Sequence, residues 1–252
     1  MNLLEIKSVT KKFGGFTAVD NVSLKINRGD IRLIIGPNGA GKSTLFKMII
    51  GVHNLNSGTI LFNEKNIEKL PLNKRINLGI GVKFQAPSIF NELTVEENLN
   101  LAIKSKSNLE IKNFIERFGL ENDQKKLAGD LSHGKKQWLD IALSSISKPE
   151  LIFLDEPTTG LDPHARRNLW DLIRTIRDKG TTVVITTHYM DEAEQLCERV
   201  AVMESGKIIA LDSPDQLIDN LVASGFQKPK AVKQANLEDV FLSITGREWR
   251  DE

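Results

Sequence analysis

Apolar and polar residues alternate near the start of the chain, at Leu4 and Ile6 and again at Val22, Leu24 and Ile26, before an Arg28-Gly29-Asp30 turn. A period of two puts one face of each segment in a core, so two early strands are predicted. Residues 31–35 form an apolar run interrupted only by Arg32, leading into a glycine-rich loop and a helix over 42–50 closed by Gly51. Apolar runs of this length belong to strands buried on both faces. Short strands are predicted at 58–62 and 79–84. Helices are predicted at 108–118 and at 94–104, the latter with Glu96 and Glu97 in its first turn, where the helix dipole favours acids.

The second half is more regular. A helix over 131–147 is stopped by Lys148-Pro149, and 151–154 reads as a buried strand. Residues 163–178 put Leu169, Leu172, Ile173 and Ile176 on one helical face, and the β-branched run 181–187 reads as the next strand. A helix near 191–197, short strands around 200–203 and 208–211 and a helix start at Ser213-Pro214 follow. Strands alternating with helices imply an α/β fold with a mainly parallel sheet. Residues 224–230, small and basic with Pro229, read as a linker before a short tail, and no repeat or low-complexity run interrupts the chain.

Composition narrows the function. The 252 residues suffice for one large domain or two small ones, and a net charge of +1 lacks the basic excess of an electrostatic nucleic-acid binder, so no nucleic-acid partner is expected. No apolar run approaches the ~20 residues that cross a bilayer, so a membrane role would be peripheral. The first ten residues lack a continuous apolar stretch, and no signal peptide is expected. A single cysteine, Cys197, excludes an internal disulfide framework or a multi-cysteine metal site and suits a reducing cytosol. His53, His133 and His164 show no metal-ligand spacing.

The chemistry sits in two motifs. Gly36-Pro37-Asn38-Gly39-Ala40-Gly41-Lys42-Ser43, followed by Thr44, has the phosphate-loop pattern of two glycines, then Lys and Ser. Glycines let backbone N–H groups curl around a polyphosphate at a positive helix end. Lys42 would neutralise the β and γ phosphates, and the Ser43 hydroxyl would bind Mg²⁺. The run 151–156 ends a buried strand with Asp155 and Glu156, at the carboxyl edge where parallel sheets host ligands. By itself this would be ordinary strand termination. After a phosphate loop it reads as a Walker B strand, with Asp155 holding Mg²⁺ through water and Glu156 polarising the attacking water.

With these residues the chain resembles the nucleotide-binding subunit of an ATP-binding cassette (ABC) transporter along nearly its whole length. The resemblance implies a P-loop NTPase core, an N-terminal antiparallel β subdomain and a helical signature subdomain at about 86–147, together spanning 1–223, with 224–252 as linker and tail. Gln85, in Lys83-Phe84-Gln85-Ala86-Pro87, resembles the Q-loop glutamine that approaches Mg²⁺ or water. Leu131-Ser132-His133-Gly134-Lys135-Lys136-Gln137 resembles the signature written Leu-Ser-Gly-Gly-Gln, with Ser132 and Gly134 retained to bind a γ-phosphate held by a second subunit. His133 and Lys135 depart from it, and a side chain at 133 must point away from the nucleotide. Asp162, in Gly160-Leu161-Asp162, resembles the D-loop acid and also suits a helix N-cap. His188 resembles the switch histidine that contacts the γ-phosphate. Phe13 lies where an aromatic stacks on adenine, with Phe16 as the competitor.

The expected activity is ATP hydrolysis with ATP and Mg²⁺, at composite sites of a homo- or heterodimer of cassettes on the cytoplasmic face of the membrane, driving separate permease subunits. Residues 14–19, 84–90 and the signature running through Trp138-Leu139-Asp140 resemble amino acid and urea importer cassettes, which would work with a solute-binding protein. Residues 187–194 and 237–242 are similar to drug and polysaccharide exporter cassettes. The segment after Gln85 usually meets the membrane subunit, so import is the expected direction and export the alternative. A soluble ABC ATPase of translation or DNA repair would carry two cassettes or a long coiled-coil insert, and neither is present. A non-hydrolysing binding module is opposed by Glu156 and His188.

Overall fold

The structure is a computed structural model that describes residues 2–102 and 108–225. The chain divides into two compact units, residues 1–214 and 215–252. The predicted linker and tail lie outside the described residues from 226 onward.

Ten strands form two sheets in the first unit. β1 (Asn2–Phe13) and β2 (Phe16–Asn27) pair antiparallel and, with β4 (Ser57–Phe62) and β5 (Lys65–Asn66), make a four-stranded sheet in the order β2-β1-β4-β5. The second sheet holds β3 (Ile31–Ile35), β6 (Ile80–Lys83), β7 (Leu151–Asp155), β8 (Thr182–Thr187), β9 (Arg199–Glu204) and β10 (Lys207–Asp212), in the order β10-β9-β3-β8-β7-β6. Every pairing within it is parallel except the β9–β10 hairpin. β3, β7 and β8 are buried at every position, as strands covered on both faces must be.

α1 (Lys42–Ile49) contributes Leu45, Phe46, Met48 and Ile49 to one apolar cluster, which also takes Leu4 and Ile6 from the antiparallel sheet and Phe153 and Val184 from the parallel one. The first unit therefore has a continuous core between its sheets. Buried Arg75, on α2 (Leu72–Asn77), closes the far end of α1 by donating to the carbonyls of Met48 and Ile49, and its Nη2 donates to Glu68 O at 2.8 Å. A cation on the last carbonyls of a helix opposes its negative end.

α3 (Val95–Ala102), α4 (Asn108–Arg117) and α5 (His133–Ser145) form the helical part. A reciprocal capping pair starts α3: Thr94 N donates to Glu97 Oε2 at 2.7 Å and Glu97 N to Thr94 Oγ1 at 3.2 Å. Asn98, buried at 2% exposure, accepts from Phe90 N at 2.8 Å and donates to Thr94 O at 2.9 Å, so it fixes the segment after Gln85. α6 (Pro163–Asp178) buries the predicted face, with Leu169, Leu172, Ile173 and Ile176 inside, and α7 (Met190–Leu196) follows β8. α8 (Pro214–Ala223), with exposed Ile218, Leu221 and Val222, has no buried residue.

Observed elements match the predicted ones closely except at the first two strands, which run longer, β2 beginning at Phe16 ahead of the predicted alternation from Val22. α2 and β5 were not predicted, because six and two residues are too short to establish a period.

Candidate nucleotide site

Four parallel strands deliver residues to one cleft of about 570 Å³ at their carboxyl ends. The phosphate loop follows β3, Gln85 follows β6, Asp155 and Glu156 end β7, and His188 follows β8. Asn38, Gly39, Ala40, Gly41, Lys42, Ser43, Thr44, Gln85, Glu156 and His188 all line it. A crevice at the carboxyl edge of a parallel sheet is the usual ligand position of such folds.

The loop is held by close backbone packing. Gly41 has φ +101°, and a Cβ there would lie 2.4 Å from the Ala18 carbonyl oxygen. Only glycine satisfies both conditions. The tip of the β9–β10 hairpin supports the loop from outside, with Gly206 N donating to Ala40 O at 2.9 Å and Asp20 N to Gly206 O at 2.8 Å. α1 begins at Lys42 with no side-chain cap and no acid in its first turn, so its positive end faces the cleft uncompensated. Lys42, 4% exposed, donates to Gly36 O at 2.7 Å and Pro37 O at 3.1 Å. Burial lowers its pKa, opposed by the charges of Glu156 and Asp155.

Asp155 sits 3% exposed beneath the loop, accepting from Thr186 Oγ1, and from Ser43 Oγ at 3.4 Å. Burial raises its pKa, the Thr186 hydroxyl lowers it and the neighbouring Glu156 charge raises it again. Among the described residues no group of three or more His, Cys, Asp or Glu could hold a metal by itself. The Ser43 hydroxyl and Asp155 carboxylate are hard oxygen donors that suit Mg²⁺, which characteristically completes its shell with phosphate oxygens and water. The donor set fits a metal that arrives with a polyphosphate.

Glu156 occupies the left-handed region at φ +45°, where its N–H donates to Thr186 O at 3.0 Å. For a non-glycine residue such a conformation costs about 1–3 kcal/mol and is common at functional sites. Its carboxylate is the meeting point of the cleft. Gln85 Nε2 donates to Oε2 at 3.2 Å, Thr159 Oγ1 donates to Oε2 at 3.3 Å, and His188 Nδ1 lies 3.5 Å from Oε1.

Of the predicted site residues, Phe13, Gly36, Pro37, Ser132, Gly134, Asp155 and Asp162 do not line this cleft, although Asp155 reaches Ser43, which does. The Phe13 ring meets His53 edge-on at 5.2 Å with Lys11 Nζ above it, while Phe16, 64% exposed, is the aromatic that lines the cleft. Ser132 is the exposed N-cap of α5, accepting from Lys135 N at 3.4 Å. Asp162 caps α6 through His164 N and Ala165 N, both at 2.9 Å. Sequence reasoning did not single out Ala18, Thr159 or Thr186. A threonine directly after Asp-Glu-Pro-Thr is too common a loop residue to stand out.

A family profile described as ABC transporter matches residues 19–159. The chain is 40% identical over 222 residues to the probable multidrug ABC transporter ATP-binding protein YbhF of Escherichia coli K12, covering 85% of this chain and 38% of that one. It is also 34% identical to the Nod factor export ATP-binding protein I of Rhizobium meliloti, over 98% of this chain and 89% of the relative. Among solved structures, the ADP conformation of MJ1267, an ATP-binding cassette of an ABC transporter, superposes with a TM-score of 0.80 at 30% identity, covering 92% of this chain and 98% of that one. The chain spans well under half of YbhF but nearly all of the other two. Its motifs, its sheet order and these matches agree that the chain belongs to the ABC transporter family, as an ATP-binding cassette.

Proposed function

We propose that this chain is the ATP-hydrolysing subunit of an ABC exporter, with residues 1–223 as the cassette. The observation that carries the reading is the convergence of Lys42, Ser43, Asp155, Glu156, Gln85 and His188 on one cleft at the ends of four adjacent strands. In this reading the phosphate loop and Lys42 bind the β and γ phosphates, and Phe16 offers its ring to the base in place of Phe13. Bound Mg²⁺ would supply charge neutralisation at the phosphates, held by Ser43 and Asp155. Glu156 orients and deprotonates the attacking water, with Gln85 and His188 fixing its carboxylate.

Ser132 and Gly134 do not line this cleft, which supports their binding a nucleotide held by another chain. That supports a dimer of cassettes with composite sites. Among the described residues no helix is long and apolar enough to cross a membrane, which supports separate permease subunits and a peripheral position at the cytoplasmic face. Export is supported by the names of the two curated relatives. Import remains the second reading, favoured by the resemblance of residues 14–19 and 84–90 to importer cassettes.

Glu156→Gln tests the assignment. Phosphate release should fall by roughly 10²- to 10⁴-fold, the usual range for a general base, while ATP binding persists and a dimer accumulates on size exclusion. Turnover at the parent rate would remove Glu156 from this role. Hydrolysis should also rise more than linearly with protein concentration. Purification with the native membrane partners separates the directions, since a bound external solute-binding protein would mean import.

A further inference from the structure

His133 stands where the signature resemblance has glycine, and its exposed side chain is turned toward Thr159 and Gly160. Nε2 lies 3.1 Å from the carbonyl oxygen of Thr159. The ring also rests on Gly160, where an added Cβ would come within 3.2 Å of Nε2 and 3.4 Å of Cδ2. Gly160 has φ +75°, a conformation that favours glycine. Buried Gln137, one turn along α5, brings its side-chain nitrogen to 3.5 Å from the same Nε2. A carbonyl can only accept, so the shorter contact, to Thr159, calls for the proton on Nε2, and in that tautomer the Gln137 nitrogen makes no hydrogen bond to the ring.

Thr159 has a second partner. Its carbonyl accepts from His133 while its hydroxyl donates to Glu156 Oε2, the carboxylate that Gln85 and His188 also approach. Within one chain, then, a single residue bridges the signature loop and the general base. Gly134 closes the same junction, since a Cβ there would meet Leu161 at 3.6 Å.

We propose that His133 is a positioning residue that couples the two composite sites of the dimer. This rests on the composite-site reading above. The signature loop serves the nucleotide held by the partner, and the Thr159 hydroxyl serves the carboxylate acting on this chain's own nucleotide. A shift of the α5 N-terminus on engaging the partner's phosphate is passed through the His133 Nε2–H to the Thr159 peptide, and from there to Glu156. Occupancy of one site thereby sets the geometry of the other.

The test is a double-mutant cycle on the full chain, using His133→Ala, Thr159→Val and both together. Steady-state ATP hydrolysis is measured for kcat, KM and Hill coefficient, with Glu156→Gln run in parallel. Position 133 is exposed and His133→Gln keeps an N–H donor, so the readout does not depend on a single variant folding. Each single change should lower kcat about 2- to 10-fold, the range of one hydrogen bond, with KM held within twofold and the Hill coefficient falling toward 1. The double variant should be no slower than the slower single one, and His133→Gln should recover most of the rate and cooperativity. Losses that multiply, parent kinetics in His133→Ala, or a Gln variant no better than Ala would each overturn the coupling. If Glu156→Gln is inactive while any of these occurs, the inference fails and the hydrolytic reading stands. If Glu156→Gln turns over at the parent rate, the reading itself fails.

Discussion

Two helix N-termini carry this cassette's phosphate-loop and signature sequences, and they are held in opposite ways. α1 starts inside the fold: Lys42 is 4% exposed, the preceding loop abuts the Ala18 and Met203 backbones, and the flanking strands β3 and β7 are wholly buried. α5 starts at the surface, with an exposed cap in Ser132 and a Gly134 that has only Leu161 and Ala165 near its missing Cβ. The first site is organised by packing before any ligand arrives. In the composite-site reading proposed above, the second is completed by another chain. Damage to the phosphate loop should therefore appear as lost stability and lost binding together, while damage to the signature should appear in turnover with the fold unaffected.

Gly41→Ala gives the largest effect. A Cβ 2.4 Å from the Ala18 carbonyl combines overpacking, about 1–3 kcal/mol, with a left-handed conformation costing about 1–2 kcal/mol more. The urea midpoint should drop by the equivalent of about 2–5 kcal/mol, and nucleotide binding by fluorescence titration should disappear with it. Full stability in this variant would mean that the loop is looser than its contacts imply.

The junction between the two regions comes next in size. Lys83, buried on β6, and Asp140, buried on α5, interact across it, with Lys83 Nζ also donating to Phe84 O at 2.8 Å. Burial pushes the Asp140 carboxyl up from 3.8 to about 6, against the pull of Lys83 and the Ser88 N–H. Burial brings Lys83 down from 10.5 to about 8, against Asp140 and Asp155. Between pH 3.8 and about 6 the folded state keeps a proton on Asp140 that the unfolded state has lost, so this group's contribution to stability falls as pH rises. From about pH 8 to 10.5 the unfolded state holds the extra proton on Lys83, and stability rises with pH. Each limb has a slope of at most about 1.4 kcal/mol per pH unit. Asp140→Asn should flatten the acid limb and Lys83→Met the alkaline one, as read from urea midpoints across pH.

The packed region was also the more legible one in the sequence. The phosphate loop concentrates its chemistry in a few adjacent residues, so its spacing is legible by itself, and the Asp155-Glu156 strand end becomes legible beside it; the sheet brings both to the carboxyl ends of the strands that flank β8. What escaped was held by contacts distant in sequence. Arg75 closes α1 from 26 residues away, and nothing near it announces a buried arginine. Thr159 meets His133, 26 positions away, only because the fold brings the start of α5 to its carbonyl. Phe13 and Phe16 face each other across the β1–β2 pairing, and both satisfy the same local pattern. The packing of Phe13 onto His53 and the place of Phe16 in the cleft lining separate them.

The smallest stability effects decide the comparison most cleanly. Asp162 caps α6 with two bonds of 2.9 Å, whereas Ser132 caps α5 with one of 3.4 Å, so the two acceptors differ in strength although both are N-caps. Asp162→Ala should lower stability by about 1–2 kcal/mol and Ser132→Ala by about 0.5 kcal/mol, the upper and lower parts of the usual capping range. If Ser132 were only a cap, its substitution would also be the milder of the two for activity. A hydroxyl that meets the partner's γ-phosphate reverses that order. Ser132→Ala should lower kcat more than Asp162→Ala does, with a urea midpoint closer to the parent, and a rate loss that merely follows stability across the pair would return Ser132 to a structural role.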